Sequence, residues 1–231
     1  MLKLEQITQI NGRPNWIELS TDGHWAALQY GSEWRMVDAL TGLENGRIHL
    51  PDAYWATVSP DGTALASMRG GVIRVAYLNS KQVTKACTYH GTKYYSDDVC
   101  FTADSQRLWT TLWNEDESGR LALLDAETLS EIASVPMPKA RADDLDYWSE
   151  PYSILHIPSN TLALQHAGGD HLFGVFFFNQ HGNQIKPHPL FVSPDSGDFR
   201  QMNSISFSAS GQLFAGIDGV FLHVWRWWIC S

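Results

Sequence analysis

One phrase, repeated along the chain, constrains the fold more than any other feature. From Trp55 to Leu78 the sequence reads WATVSPDGTALASMRGGVIRVAYL: an alternating apolar run, a Ser-Pro-Asp-Gly turn, a second run, a Gly-Gly break and a third run. This is the signature of three short strands joined by tight turns. The same phrase precedes it as WIELSTDGHWAALQYGSEWRMVDALTG and follows it as DVCFTADSQRLWTTLWNEDESGRLALLDAETL. Weaker copies follow in YSILHIPSNTLALQHAGGDHLFGVFFFNQHG and SISFSASGQLFAGIDGVFLHVWRW.

The turns of the five copies fall at Asp22-Gly23, Asp61-Gly62, Asp104-Ser105, Ser159-Asn160 and Ser210-Gly211, about 40 to 55 residues apart. A period near 40 with short strands indicates a propeller, the longer intervals being loop insertions. Asp-Gly and Ser-Gly supply the positive φ that a tight hairpin needs between the first and second strands. Helical periodicity is not sustained, apart from a short turn expected near Ala140 to Leu145. The reading is an all-β, single-domain, five-bladed β-propeller, with strand triplets near 14–47, 53–85, 97–134, 151–187 and 203–229. Regular recurrence of one phrase argues against the alternative, a two-sheet sandwich.

SPDGTALASMRGGVIRVAYL resembles the WD40 and YVTN-type propeller repeats, and VDALTG and LDAETL resemble the end of their third strand with its following turn. The Gly-His that opens and the Trp-Asp that ends well-marked WD40 repeats stand at those places in no copy, Gly23-His24 belonging to the first hairpin turn. The resemblance implies four-stranded blades around an axis, serving as a rigid platform for partners. Leu2 to Ile10 is strand-like, and placing it as the outer strand of the last blade closes the ring and removes both exposed edges.

Composition narrows the function classes. A chain of 231 residues that is 44% hydrophobic and 18% charged, with 10 Trp, is an ordinary globular protein. No apolar run approaches the length of a membrane span, and MLKLEQITQI has neither the apolar stretch nor the cleavage site of a leader, so a soluble cytoplasmic protein is expected. Cys87, Cys100 and Cys230 lack CxxC or Cys/His spacing, which suggests neither disulfides nor zinc.

The net charge is −9, and thirteen acidic residues against four basic ones lie between Asp97 and Glu150, while the remainder is balanced. Such a patch repels nucleic acid and steers a basic protein toward it. The links from one blade's outer strand to the next blade's inner strand, expected on one face with the second-to-third strand turns, mix acids with aromatics. They carry Tyr54 and Trp55; Tyr94, Tyr95, Asp97 and Asp98; Asp143, Asp144, Asp146, Tyr147, Trp148 and Glu150; and Asp198 with Phe199. Aromatic rings give contact area at low entropic cost and carboxylates give charge complementarity, so these residues form the expected binding face. The bland alternative is that the rings cap the blades and the acids are solvated.

Catalysis finds little support. If the first strands line a channel, Glu18 and Asp98 are the only carboxylates able to form the pair that glycoside hydrolysis needs, and no glycosidase motif surrounds either. No G-x-S-x-G elbow or phosphate loop occurs. His166, Asp170 and His171 in HAGGDH read as turn residues and not as a metal site. The expectation is therefore a non-catalytic, monomeric protein without metal or cofactor that binds a basic protein as an inhibitor, immunity-type protein or small scaffold, with direct nucleic-acid and membrane contact excluded. The alternative is a carbohydrate-binding or glycoside-hydrolysing propeller.

Overall fold

The computed structural model describes residues 12–53, 56–69, 72–78, 80, 83–88, 99–113, 119–136, 149–157, 161–168, 171–181, 184–192, 202–207, 213–218 and 221–226. Every regular element among them is a β-strand, so none is a helix able to cross a membrane. The first sheet holds β1 (Trp16–Leu19), β2 (Trp25–Tyr30), β3 (Glu33–Asp38) and β4 (Glu44–His49). The second holds β5 (Thr57–Val58), β6 (Ala64–Arg69), β7 (Val72–Tyr77) and β8 (Val83–Thr88), and the third β9 (Val99–Phe101), β10 (Arg107–Trp113), β11 (Gly119–Asp125) and β12 (Glu131–Pro136). The fourth holds β13 (Ser149–Ile157), β14 (Thr161–Gly168), β15 (His171–His181) and β16 (Gln184–Val192), and the fifth β17 (Met202–Phe207), β18 (Leu213–Asp218) and β19 (Phe221–Arg226). Each sheet is an antiparallel meander in chain order, four-stranded except for the last, which has three strands among the described residues. Successive meanders packed face to face have the layout of a β-propeller.

The hairpins explain why the phrase repeats. In the first, Ser20 Oγ donates to Asp22 Oδ1 at 2.5 Å and accepts the Trp25 amide at 3.0 Å, while Gly23 N donates to the Ser20 carbonyl at 2.9 Å. Ser59 with Asp61, and Thr102 with Asp104, repeat the arrangement at 2.7 and 2.5 Å. The turn requires a left-handed residue, which is Gly23 at φ +76°, Gly62 at +70° and Ser105 at +61°. Ser105 has no glycine freedom, but its Oγ accepts the Asp61 amide at 3.1 Å and so links the third sheet's turn to the second's. A second repeated turn follows the third strand. Asp38 Oδ1 accepts the Thr41 amide, and Asp125 Oδ1 that of Thr128, both at 2.7 Å. These are the VDALTG and LDAETL stretches, and they close β3 and β11 as the resemblance implied.

Cross-strand register shows which way each side chain faces, because residues directly opposite share a face. Ala27, Trp34, Met36 and Ile48 of the first sheet pack against Ala56, Val58, Leu65 and Ala76 of the second. Ala64, Ala66, Met68, Ile73 and Val75 on the second sheet's other face pack against Val99, Phe101, Leu108 and Leu112 of the third. Trp109, Leu121 and Leu123 then meet Phe178 and Ile185 of the fourth. The second and third sheets thus each have a leading face toward the sheet before and a trailing face toward the sheet after, and the described core is the series of seams between the first four sheets.

The sequence phrase resolves three strands per copy and the resemblance implies a fourth, which the structure supplies as β4, β8, β12 and β16 at the outer edges. Their signal is weak because an edge strand buries little: ENGRIH in β4 is mostly exposed, with Ile48 alone buried. The inner-strand position that Glu18 holds in the first sheet faces the following sheet in the third. Cys100 sits with Trp109, Leu121 and Phe178, since an inner strand turns alternate side chains toward its two neighbouring blades. The expected closing strand Leu2–Ile10 and the turn near Ala140–Leu145 lie outside the described residues.

Candidate binding surfaces

The first outer-to-inner link gives the geometry of the expected face. Leu50 N donates to the Ser32 carbonyl at 3.0 Å, placing the link beside the β2–β3 turn, at the opposite end of the sheet from the Asp-Gly hairpin. Buried Gln29 donates its Nε2 to the Ala53 carbonyl at 2.7 Å, and Arg69 reaches the Asp52 carbonyl at 3.4 Å. Ala53 and Ala56 are both buried, so the link is anchored on either side of the Tyr54-Trp55 pair. Tyr54, Trp55, Tyr94, Tyr95, Asp97, Asp98, Asp143, Asp144, Asp146, Tyr147, Trp148, Asp198 and Phe199 themselves lie outside the described residues. Glu150 is placed by its backbone on β13, opposite Ala167.

The carboxylate weighed for catalysis sits on β1. Glu18 is partly buried, which pushes its carboxyl above the usual range, and the indole of Trp16 donates to its Oε2 at 3.4 Å, pulling the other way. Its equivalents Thr57 and Cys100 are buried, Cys100 in the seam toward the fourth sheet. Asp98 lies outside the described residues. Among those described, no group of three metal-ligating side chains occurs; His166 and His171 lie on β14 and β15, whereas Asp170 lies outside.

Sequence reasoning missed the exposed apolar residues. Leu40 and Leu43 protrude from the β3–β4 turn, whose partner after β11 carries Glu127 and Ser130 at the matching places. Ile17, Leu19 and Val224 are exposed on sheet faces. Aligning the turns finds Leu40 and Leu43, which stand where the third copy has Glu127 and Ser130, whereas Ile17, Leu19 and Val224 align with positions that other sheets bury. Elsewhere the first sheet's surface is balanced in charge: Arg47 joins Glu33 at 3.1 Å and Glu44 at 2.7 Å, and Arg35 lies 4.3 Å from the Tyr30 ring centre.

No protein-family model and no curated protein sequence matches the chain. Solved structures do. The WD40 domain of Toxoplasma gondii coronin superposes with a TM-score of 0.64 at 10% identity, over 94% of this chain and 56% of that one. The Cps50 (Swd1) β-propeller domain of Myceliophteria thermophila gives 0.62 at 15%, over 91% and 68%. Chaetomium thermophilum Sqt1, solved bound to the N-terminus of ribosomal protein L10, gives 0.57 at 15%, over 93% and 58%. The chain therefore spans between 56% and 68% of the length of these three structures, and enzymes also occur among the matches. At such identities the likeness concerns the fold, which is that of a WD40-like β-propeller.

Proposed function

We propose that this chain is a non-catalytic interaction propeller whose acidic, aromatic link face engages a basic protein, in the manner of an inhibitor, immunity-type protein or small scaffold. The observation that carries the reading is the placement of charge: thirteen of the 25 acidic residues fall between Asp97 and Glu150, interleaved with aromatic rings. Local potential of this kind raises the rate of encounter with a cationic surface, and buried rings then hold the complex. The anchoring of the first link by Gln29 and Leu50 supports the reading, since a loop fixed at both ends presents its residues with little ordering cost. Sqt1 is a precedent on the same fold, as a propeller solved with a protein segment bound.

The test is affinity capture from the native organism with the wild type and with Asp143, Asp144 and Asp146 changed to Lys. A basic protein retained by the wild type at low salt and lost from the variant supports the proposal. Turnover of a chromogenic glycoside, silenced by Glu18→Gln and Asp98→Asn, overturns it.

A further inference from the structure

A tryptophan and a glutamate share one face at the start of β1. Trp16 and Glu18 stand two residues apart on the strand, so both turn toward the second sheet, where Ala27 and Met36, in register with Glu18, are buried against Ala56 and Val58. Trp16 is 49% exposed and Glu18 is partly buried. The indole N–H donates to Glu18 Oε2 at 3.4 Å, a bond that ties the two side chains together and occupies the edge of the ring and not its face.

The carboxylate lacks the partner its surroundings call for. Burial beside the apolar row pushes its carboxyl above the usual range, and the long indole bond offsets that only in part. Among the described residues no Lys, Arg or His forms an ion pair with it: Arg35, Arg47, Arg107 and Arg120 all pair with other acids. A carboxylate drawn out of water without a cation is destabilising, and a cation brought to it offsets the loss.

The backbone holds this pair at the link end of the first sheet. Asn15 N donates to the Gln29 carbonyl at 2.7 Å and Asn15 Oδ1 accepts the Gly31 amide at 3.0 Å, which fixes the start of β1. Trp16 stands opposite Gln29, whose Nε2 holds the Ala53 carbonyl of the first link. Counted back from Ser20, Ser59 and Thr102, Trp16 occupies the place of Trp55 and Asp98, two of the residues that the sequence reading puts on the binding face.

We propose that Trp16 and Glu18 form a subsite for an arginine side chain, presented by a protein or peptide at the link end of the first sheet. A guanidinium is planar and weakly hydrated, so it stacks on the indole face while its N–H groups reach the carboxylate. An ammonium is compact and strongly hydrated, so it gives up more water at a half-buried acid and has no plane to stack. A neutral ligand uses the ring and leaves the carboxylate without its cation. The subsite rests on the proposed basic partner only for the source of the arginine; its chemistry stands on Trp16 and Glu18.

Indole N–H proton signals of the full chain, followed by NMR during titration with a glycine-flanked arginine peptide, test this. The chain's 10 Trp supply the control, since only the signal that disappears in Trp16→Leu is expected to move. The same peptide with citrulline, which has the shape of arginine without its charge, is expected to leave that signal in place. Glu18→Gln keeps the shape of the side chain and should weaken binding of the arginine peptide by about 10-fold or more. A Trp16 signal that stays in place up to about 10 mM arginine peptide overturns the proposal, as does equal movement with citrulline or unchanged affinity in folded Glu18→Gln. A lysine peptide that binds as tightly overturns the choice of a guanidinium. Circular dichroism verifies the fold of each variant, and the citrulline comparison on the wild type decides the matter if Glu18→Gln does not fold. Capture of a basic protein without any Trp16 response overturns this subsite alone, whereas a Trp16 response with no basic protein captured overturns the acidic-link reading and upholds the subsite.

Discussion

Gly62 lies against the indole of Trp25, so that a Cβ at position 62 would overlap the ring atoms Cδ2 and Cε2. The second sheet's hairpin thereby rests on the first strand-two residue of the first sheet. Gly23, at the equivalent turn position, has nothing within 4 Å of a built Cβ. Both have positive φ, so replacement by Ala strains either backbone, but only at Gly62 does it also push two sheets apart. Gly23→Ala is expected to cost about 1 kcal/mol and Gly62→Ala about 2–4 kcal/mol, read from urea unfolding with unchanged m-values.

Asp61 gives the hairpins a pH dependence. Burial pushes its carboxyl up, but hydrogen bonds from Ser59 Oγ, from the Thr63 amide and hydroxyl and from Ser105 outweigh burial and hold it below the usual range. A depressed folded pKa means stability that is full above the ordinary carboxyl value and is lost as pH falls through that value toward the folded one. Asp38 and Asp125 are lowered as well, chiefly by the amides of Thr41 and Thr128. Melting temperature should therefore fall as the medium is acidified below about pH 4. Asp61→Asn, which keeps an oxygen acceptor without the charge, should be less stable at neutrality and show a shallower acid limb.

Equivalent inner-strand positions should respond very differently to truncation. Phe101 is fully buried in the seam between the second and third sheets, and Phe101→Ala should cost about 3–5 kcal/mol through lost burial and the cavity left behind. Leu19 is exposed at the same place in the first sheet, and Leu19→Ala should stay within about 1 kcal/mol of the wild type. Urea denaturation measures both; a large loss at Leu19 would show that it is covered.

The proposed partner interaction separates into two kinetic signatures. Reversing Asp143, Asp144 and Asp146 to Lys should slow association and flatten its salt dependence, because rim charges act on encounter and are screened. Trp148→Ala should speed dissociation instead, at a cost of about 2 kcal/mol or more for a central ring. Surface-bound kinetics at two ionic strengths distinguish them, and unchanged rates in both folded variants would remove the site from this face.

The parts of the fold legible in the sequence were those set by local chemistry. Asp22-Gly23, Asp61-Gly62 and Asp104-Ser105 announce hairpins because the left-handed position and the Asp acceptor lie within a few residues of each other. The outer strands were hidden: in β4, Gly46 and the paired Glu44 and Arg47 describe a solvated edge, and only neighbouring β3 makes it a strand. Side-chain direction was hidden for the same reason. Nothing local says that Cys100 faces the fourth sheet and Val99 the second, since that depends on how sheets stack. The exposed leucines of the β3–β4 turn were within reach of the sequence, because DALTGL set beside DAETLS places Leu40 and Leu43 against Glu127 and Ser130.

The hairpins also bear on how the protein ages. Among aspartyl dipeptides Asp-Gly is the most prone to cyclise, because the unhindered glycine nitrogen can attack the side-chain carbonyl to form a succinimide that opens to an isoaspartyl linkage. In both copies that nitrogen is engaged, Gly23 N by the Ser20 carbonyl and Gly62 N by the Ser59 carbonyl, each at 2.9 Å. The same aspartates are held by their own serine hydroxyls. Spontaneous isomerisation at Asp22 and Asp61 is thus confined to molecules whose turns have opened, and isoaspartate at these two positions records how much of its life the chain has spent unfolded.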